Sequence, residues 1–149
     1  MVAVRFAVAS HILVLLALGS RSDRVGRPAA ATSNRLAGVV NTNPVVVRRI
    51  TGQLARAGLL RVHRGRGGAE LARPAAAITL NDVWTAVNAG ADRPLVPLQA
   101  SSTERGDRTV VDPIAPVLQA AFADAERAFR GALGQTTLAS LARRAGQSA

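Results

Sequence analysis

The sequence contains no cysteine. That excludes disulfides, thiolate metal sites, cysteine-ligated iron–sulfur clusters and thiol redox sensing. Lysine is absent too, so all 19 basic residues are arginine. With alanine and valine abundant, this bias matches a GC-rich coding sequence and carries little functional weight. Aromatic residues make up 3%, which leaves Val, Leu, Ile and Ala to build the core. Histidine is scarce: His11 and His63 alone give a transition metal few donors. Asp92, Glu104, Asp107 and Asp112 match no calcium-loop spacing. No nucleophile–base pair stands out, and the glycines of residues 65–68 lack the ending of a phosphate loop and do not open a helix. The chain is therefore expected to be no enzyme, with no catalytic residue, no metal and no cofactor.

What is present is a foldable chain with one-sided charge. A hydrophobic share of 48% over 149 residues suffices for one packed domain plus an additional long element. The formal net charge is +10. Twelve of the arginines fall in residues 1–74 against Asp23 and Glu70 alone, while the seven in residues 75–149 meet seven acids. A basic half on a small domain points to a polyanion, either nucleic acid or an anionic membrane surface. Near the N-terminus, Arg5 precedes an apolar stretch at 12–19 that has some likeness to a secretory leader. The stretch is too short to span a bilayer, and Ser10, His11, Arg21, Asp23 and Arg24 interrupt or follow it. A buried first helix in a cytoplasmic protein without a membrane partner is the expectation.

Along the chain, Phe6, Ala9, Ile12, Leu13 and Leu16 share one face of a helix over residues 3–18. His11 on that helix is expected to be a hydrogen-bonded core or interface residue. Residues 21–31 read as a loop. Thr32 or Ser33 can cap a short helix carrying Leu36, Ala37 and Val40. Asn41 and Thr42 make a turn, Asn43 is a good N-cap and Pro44 suits the first helical position. That second helix runs to Ala57 and closes at Gly58. Two short helices joined by a tight turn predict a helix-turn-helix. Extended runs at 59–62 and 69–72 flank a glycine-rich tip and predict a β-hairpin. Thr79 and Asp82 form a capping box before Val83, Trp84 and Val87, with Trp84 expected in packing. Residues 89–111, with Pro94 and Pro97, read as a loop. A long helix is expected from Ile114 to about Leu133, then a short one capped by Thr137.

The fold class that follows is mainly α with a small β-hairpin wing: a winged helix-turn-helix plus a long C-terminal dimerisation helix. The expected division is a DNA-binding domain at 1–88, a loop at 89–111 and a helical dimerisation region at 112–149. On the second helix, Val47, Ile50 and Leu54 should face the core, which turns Val45, Arg48, Arg49, Gly52 and Arg56 outward. The outward face of such a helix enters the major groove of double-stranded DNA. Arg48 and Arg49 can fork onto guanine or hold phosphates, and Val45 and Val46 can touch thymine methyls, with Asn43 at the helix start. On the hairpin, Arg64, Arg66 and Gly67 suit a phosphate track or a narrow minor groove, with His63 beside them on the strand.

Several stretches together resemble one family. They are NTNPVVVRR at 41–49, LARAGL at 54–59, RGRGGA at 64–69, LARP at 71–74, ITLNDV at 78–83 and RFAVA at 5–9. They look like the Rrf2 family of bacterial winged-helix transcriptional regulators. The resemblance implies a homodimer held largely by the long helix, a recognition helix in the major groove, a wing at the minor groove and a palindromic operator, usually for repression. Sensory members carry three cysteines in the loop corresponding to residues 89–111. This chain has none and so resembles the branch without them; an effector, if one acts here, acts without a cluster.

The long helix carries a stripe of Leu118, Ala121, Ala125, Ala128 and Ala132 flanked by Phe122 and Phe129. Leu118, Phe122, Ala125 and Phe129 are the expected dimer contacts. Two other readings compete with a DNA-binding regulator: a winged-helix module that contacts protein rather than DNA, and a secreted or membrane-surface basic protein.

Overall fold

The computed structural model describes residues 2–19, 31–64, 68–88, 95–96 and 113–147. Its elements are α1 (Val2–Gly19), α2 (Ser33–Val39), α3 (Pro44–Arg56), β1 (Leu60–His63), β2 (Gly68–Leu71), a 3-10 turn (Ala75–Ala77), α4 (Leu80–Asn88), α5 (Ile114–Gly134) and α6 (Leu138–Gln147). This is the expected mainly helical winged helix-turn-helix with a long C-terminal helix.

Local chemistry places most of the boundaries. The Thr32 hydroxyl accepts the Arg35 N–H at 3.4 Å and opens α2. Asn41 takes the left-handed conformation, φ 50°, which asparagine tolerates better than most residues. The chain thereby turns within a few residues into α3. There the Asn43 carboxamide accepts the Val45 N–H at 2.8 Å and Pro44 occupies the first turn, where its missing donor leaves nothing unsatisfied. Gly58, φ 71°, ends α3. The Leu59 N–H reaches the Leu54 carbonyl at 2.9 Å and the Gly58 N–H reaches that of Ala55 at 3.0 Å, the paired bonds of a Schellman cap. Thr79 and Asp82 exchange backbone and side-chain bonds at 2.8 and 3.2 Å and open α4 as the capping box predicts.

The hairpin is antiparallel, with Leu60 opposite Leu71, Arg61 opposite Glu70, Val62 opposite Ala69 and His63 opposite Gly68. Each strand begins or ends one residue from its expected place. Leu60 turns inward, whereas Arg61, Val62 and His63 stand in solvent.

One core joins these elements. Ile12 and Leu13 of α1, Val47, Ile50 and Leu54 of α3, Leu59 just before β1, Ile78 just before α4, Val83 and Val87 of α4, and Leu138 of α6 are all fully buried. Each such aliphatic side chain contributes about 1.5–3 kcal/mol by leaving water. Within the segment expected for dimerisation, Leu138 and Ala142 of α6 are buried, α6 packs on α1, and Thr137 bridges to Thr79. The backbone bonds Leu80 N–H to Thr136 at 2.9 Å and Leu138 N–H to Ile78 at 2.9 Å stitch the two segments together. His11 is not a core residue. It lies on the exposed side of α1, because Ile12 and Leu13, its neighbours in sequence, take the inward positions. Trp84 is buried, as expected.

Candidate nucleic-acid interface

α3 is held to the core on one side and bare on the other. Val47, Ile50, Thr51 and Leu54 are buried, whereas Val45 is 63% exposed, Val46 40%, and Arg48, Arg49 and Arg56 are exposed. The helix therefore offers two valines and two adjacent arginines near its N-terminus. Asn43 is also exposed, and its side-chain oxygen accepts the Val45 N–H in the cap, a bond that does not involve the amide nitrogen. Gly52 is half-buried rather than outward, and the Arg56 guanidinium folds over it, 3.6 Å from where a Cβ would sit.

Thr51 was not singled out by sequence reasoning. It is a buried polar residue on the core side of α3, made tolerable because its hydroxyl donates back to the carbonyls of Val47 at 3.0 Å and Arg48 at 3.1 Å. The two bonds secure the turn that carries Arg48 and Arg49.

The hairpin supplies the second surface. Arg64 is exposed at its turn. Arg66 and Gly67 lie outside the described residues. Arg61, which sequence reasoning also missed, is exposed on the same strand face as His63; the alternation of a strand starting at Leu60 carries that signal. His63 Nε2 lies 3.1 Å from Glu70 Oε1, and Glu70 is the one acid between Asp23 and Asp82 in the sequence. The turn end of the hairpin ladder is anchored: Gly68 packs on Ala31, and the Ala69 N–H donates to the Ala31 carbonyl at 3.2 Å.

α5 stands apart from the core, with no buried residue. Of the four expected dimer contacts, Leu118 and Ala125 are exposed and Phe122 is half-buried. Phe129 is 36% exposed, its ring edge-on to Trp84 of its own chain at 4.9 Å and 78°. Ile114 and Val117, at the N-terminal end of the same helix, are exposed as well. Leu95 donates its N–H to Glu126 at 3.2 Å, which ties that part of the preceding segment to α5. No helix among the described residues is long and apolar enough to cross a membrane.

Comparison with known proteins gives one consistent answer. The family model described as Rrf2, iron-dependent transcriptional regulator, matches residues 3–144. YwnA of Bacillus subtilis, a candidate helix-turn-helix-type transcriptional regulator, is 40% identical over 83 residues. That match covers 56% of this chain and 56% of YwnA, so the chain spans little more than half of that curated relative. A crystal structure of a candidate DNA-binding protein is 30% identical, with a TM-score of 0.61 over 90% of this chain and 95% of that one. Staphylococcus aureus CymR, 24% identical, has the same fold at a TM-score of 0.61 over 93% of this chain and 95% of its own.

The family description names iron. Thiolate ligands are absent from the sequence, and among the described residues no three His, Asp or Glu side chains converge. These residues do not fit a thiolate-held iron or cluster.

Proposed function

The chain belongs to the Rrf2 family of transcriptional regulators, and from that premise we propose that it binds double-stranded DNA sequence-specifically as a homodimer. The observation that carries the reading is the two-sided α3. Its apolar side is locked into the core, while Val45, Val46, Arg48 and Arg49 stand in solvent. A face so placed enters the major groove with its N-terminal residues leading. A bidentate arginine–guanine pair there contributes about 1–3 kcal/mol of discrimination. Arg61 and Arg64 on the hairpin, together with Arg66 and Gly67, contact phosphates or the adjacent minor groove.

The exposed apolar stripe on α5 supports the dimer. Ile114, Val117 and Leu118 lie in solvent on one helix, a patch that a monomer rarely leaves open and that a symmetry mate would cover. A two-fold dimer matches a palindromic operator with its half-sites about one DNA turn apart. Repression in the cytoplasm follows where such an operator overlaps a promoter.

The test is selection of duplex DNA from a random pool by the purified protein. Recovery of a palindrome bound in a salt-dependent way supports the reading. A pool with no enriched sequence, and no binding at low salt, would reject it in favour of a protein-contacting winged helix.

A further inference from the structure

α5 is 21 residues long, about 30 Å at 1.5 Å per residue, and it meets the domain chiefly through α4. The attachment is at its C-terminal half. Glu126 and Leu133 are half-buried there, Phe122 near the middle is half-buried too, and Ile114, Val117 and Leu118 at the other end are exposed. Two contacts define how α5 sits.

The first is aromatic. The Trp84 ring lies between Phe6 of α1, at 5.2 Å and 79°, and Phe129 of α5, at 4.9 Å and 78°. Both are edge-to-face arrangements that favour one geometry over others. In a chain with four aromatic residues, three are thus committed to one stack joining α1, α4 and α5. The second contact is polar. Arg130 donates from Nε to Asn81 Oδ1 at 3.3 Å and from Nη2 to Thr85 Oγ1 at 3.1 Å. Asn81 and Thr85 are four residues apart, one turn of α4, and they flank Trp84. A planar guanidinium that spans one turn of a neighbouring helix fixes both slide and rotation.

α4 is itself rigidly placed. Its first turn is locked by the Thr79–Asp82 capping box, and it packs on α3. The orientation of α5 is therefore passed on to the recognition helix through one joint. From Phe129 to Ile114 the helix is a lever of about 22 Å. A tilt of about 10° at the joint moves its far end by about 4 Å, close to the 3.4 Å rise between neighbouring phosphates of one DNA strand.

We propose that Phe129 and Arg130, acting through Trp84, Asn81 and Thr85, are positioning residues that set the half-site spacing the dimer accepts. The inference rests on the dimeric DNA-binding reading above and adds to it what determines operator geometry. The hydrogen bonds of Arg130 are exposed and contribute little to stability; their effect is geometric.

The experiment uses the full chain and the palindrome it selects. Binding is measured on duplexes whose half-site spacing is altered by one or two base pairs either way, and on a duplex with a single half-site. The parent protein should favour one spacing by about tenfold or more. Arg130→Ala and Phe129→Leu should flatten that preference to about threefold or less while leaving half-site affinity within about twofold. Arg127→Ala, about one turn before Arg130 and paired with Asp124, should behave as the parent. An unchanged spacing profile in Arg130→Ala overturns the proposal. So does an equal loss on every duplex, the half-site included, which marks a merely structural role. A parent that sediments as a monomer and shows no spacing preference overturns the dimer reading itself, and the joint with it.

Discussion

Gly68 in β2 is seated against the backbone of Ala31, so closely that a Cβ there would meet the Ala31 nitrogen at 2.6 Å. Its φ of 66° adds a second reason for glycine. The contact fixes the turn end of the wing's ladder beside the entrance to α2. Gly68→Ala has to push backbone apart, which costs about 1–3 kcal/mol. Gly58→Ala, at a φ of 71° but with open space around the new Cβ, pays only the conformational penalty of about 1–2 kcal/mol. Urea unfolding should rank Gly68→Ala as the more damaging, and it should weaken DNA binding as well. Equal midpoints for the two variants would refute the close approach.

The caps were legible in the sequence because they are local. Asn43 before Pro44, the Thr79–Asp82 pair and Thr137 each act on a backbone group within three residues. The two faces of α3 were legible for a similar reason, since helical periodicity alone separates Ile50 from Arg49. Long-range partners were not. Nothing around Leu138 says that its helix docks on α1 and the 3-10 turn rather than in a dimer. The α5 pattern shows an apolar stripe but not which body covers each part, and Phe129 turns out to face its own Trp84. Thr51 and His11 run against their surroundings in opposite directions: a hydroxyl that goes inside by bonding to its own helix, and an imidazole on an apolar helix that stays outside.

Arg48→Ala and Arg49→Ala should each weaken binding to the selected operator, by about 1–3 kcal/mol where the side chain reads guanine. Both residues are exposed, so thermal unfolding should stay within about 0.5 kcal/mol of the parent. Operator affinity equal to the parent in both variants would mean that α3 is not the reading helix.

The wing arginines should act without regard to sequence. Arg61→Ala, Arg64→Ala and Arg66→Ala are each expected to lower affinity on all duplexes and to reduce the steepness of the salt dependence by about one phosphate contact. Glu70→Gln should do the reverse. It removes the one acid on that strand face and frees His63 from its 3.1 Å pairing, so affinity for unrelated DNA should rise. A loss confined to one base position, with an unchanged salt slope, would instead assign these residues to base reading.

The assembly prediction turns on which side of α5 is bare. At about 100° per residue, Leu118, Ala121, Ala125, Ala128 and Ala132 form one line, and Phe122, Phe129 and Leu133 another about a quarter-turn away. The second line carries the contact to Trp84. The first is exposed throughout, and it continues into Ile114 and Val117. Its alanines let two helices approach closely, and burying Leu118 or Ile114 in such a seam contributes about 1.5–3 kcal/mol per side chain. Leu118→Asp and Ala125→Asp should therefore yield folded monomers with an unchanged melting temperature at low protein concentration and much weaker operator binding. Phe129→Asp should behave differently, because it also removes a ring from its own domain, and its melting temperature should fall. Sedimentation across a concentration series separates the cases. A Leu118→Asp protein that remains a dimer at micromolar concentration would move the interface off this line of α5.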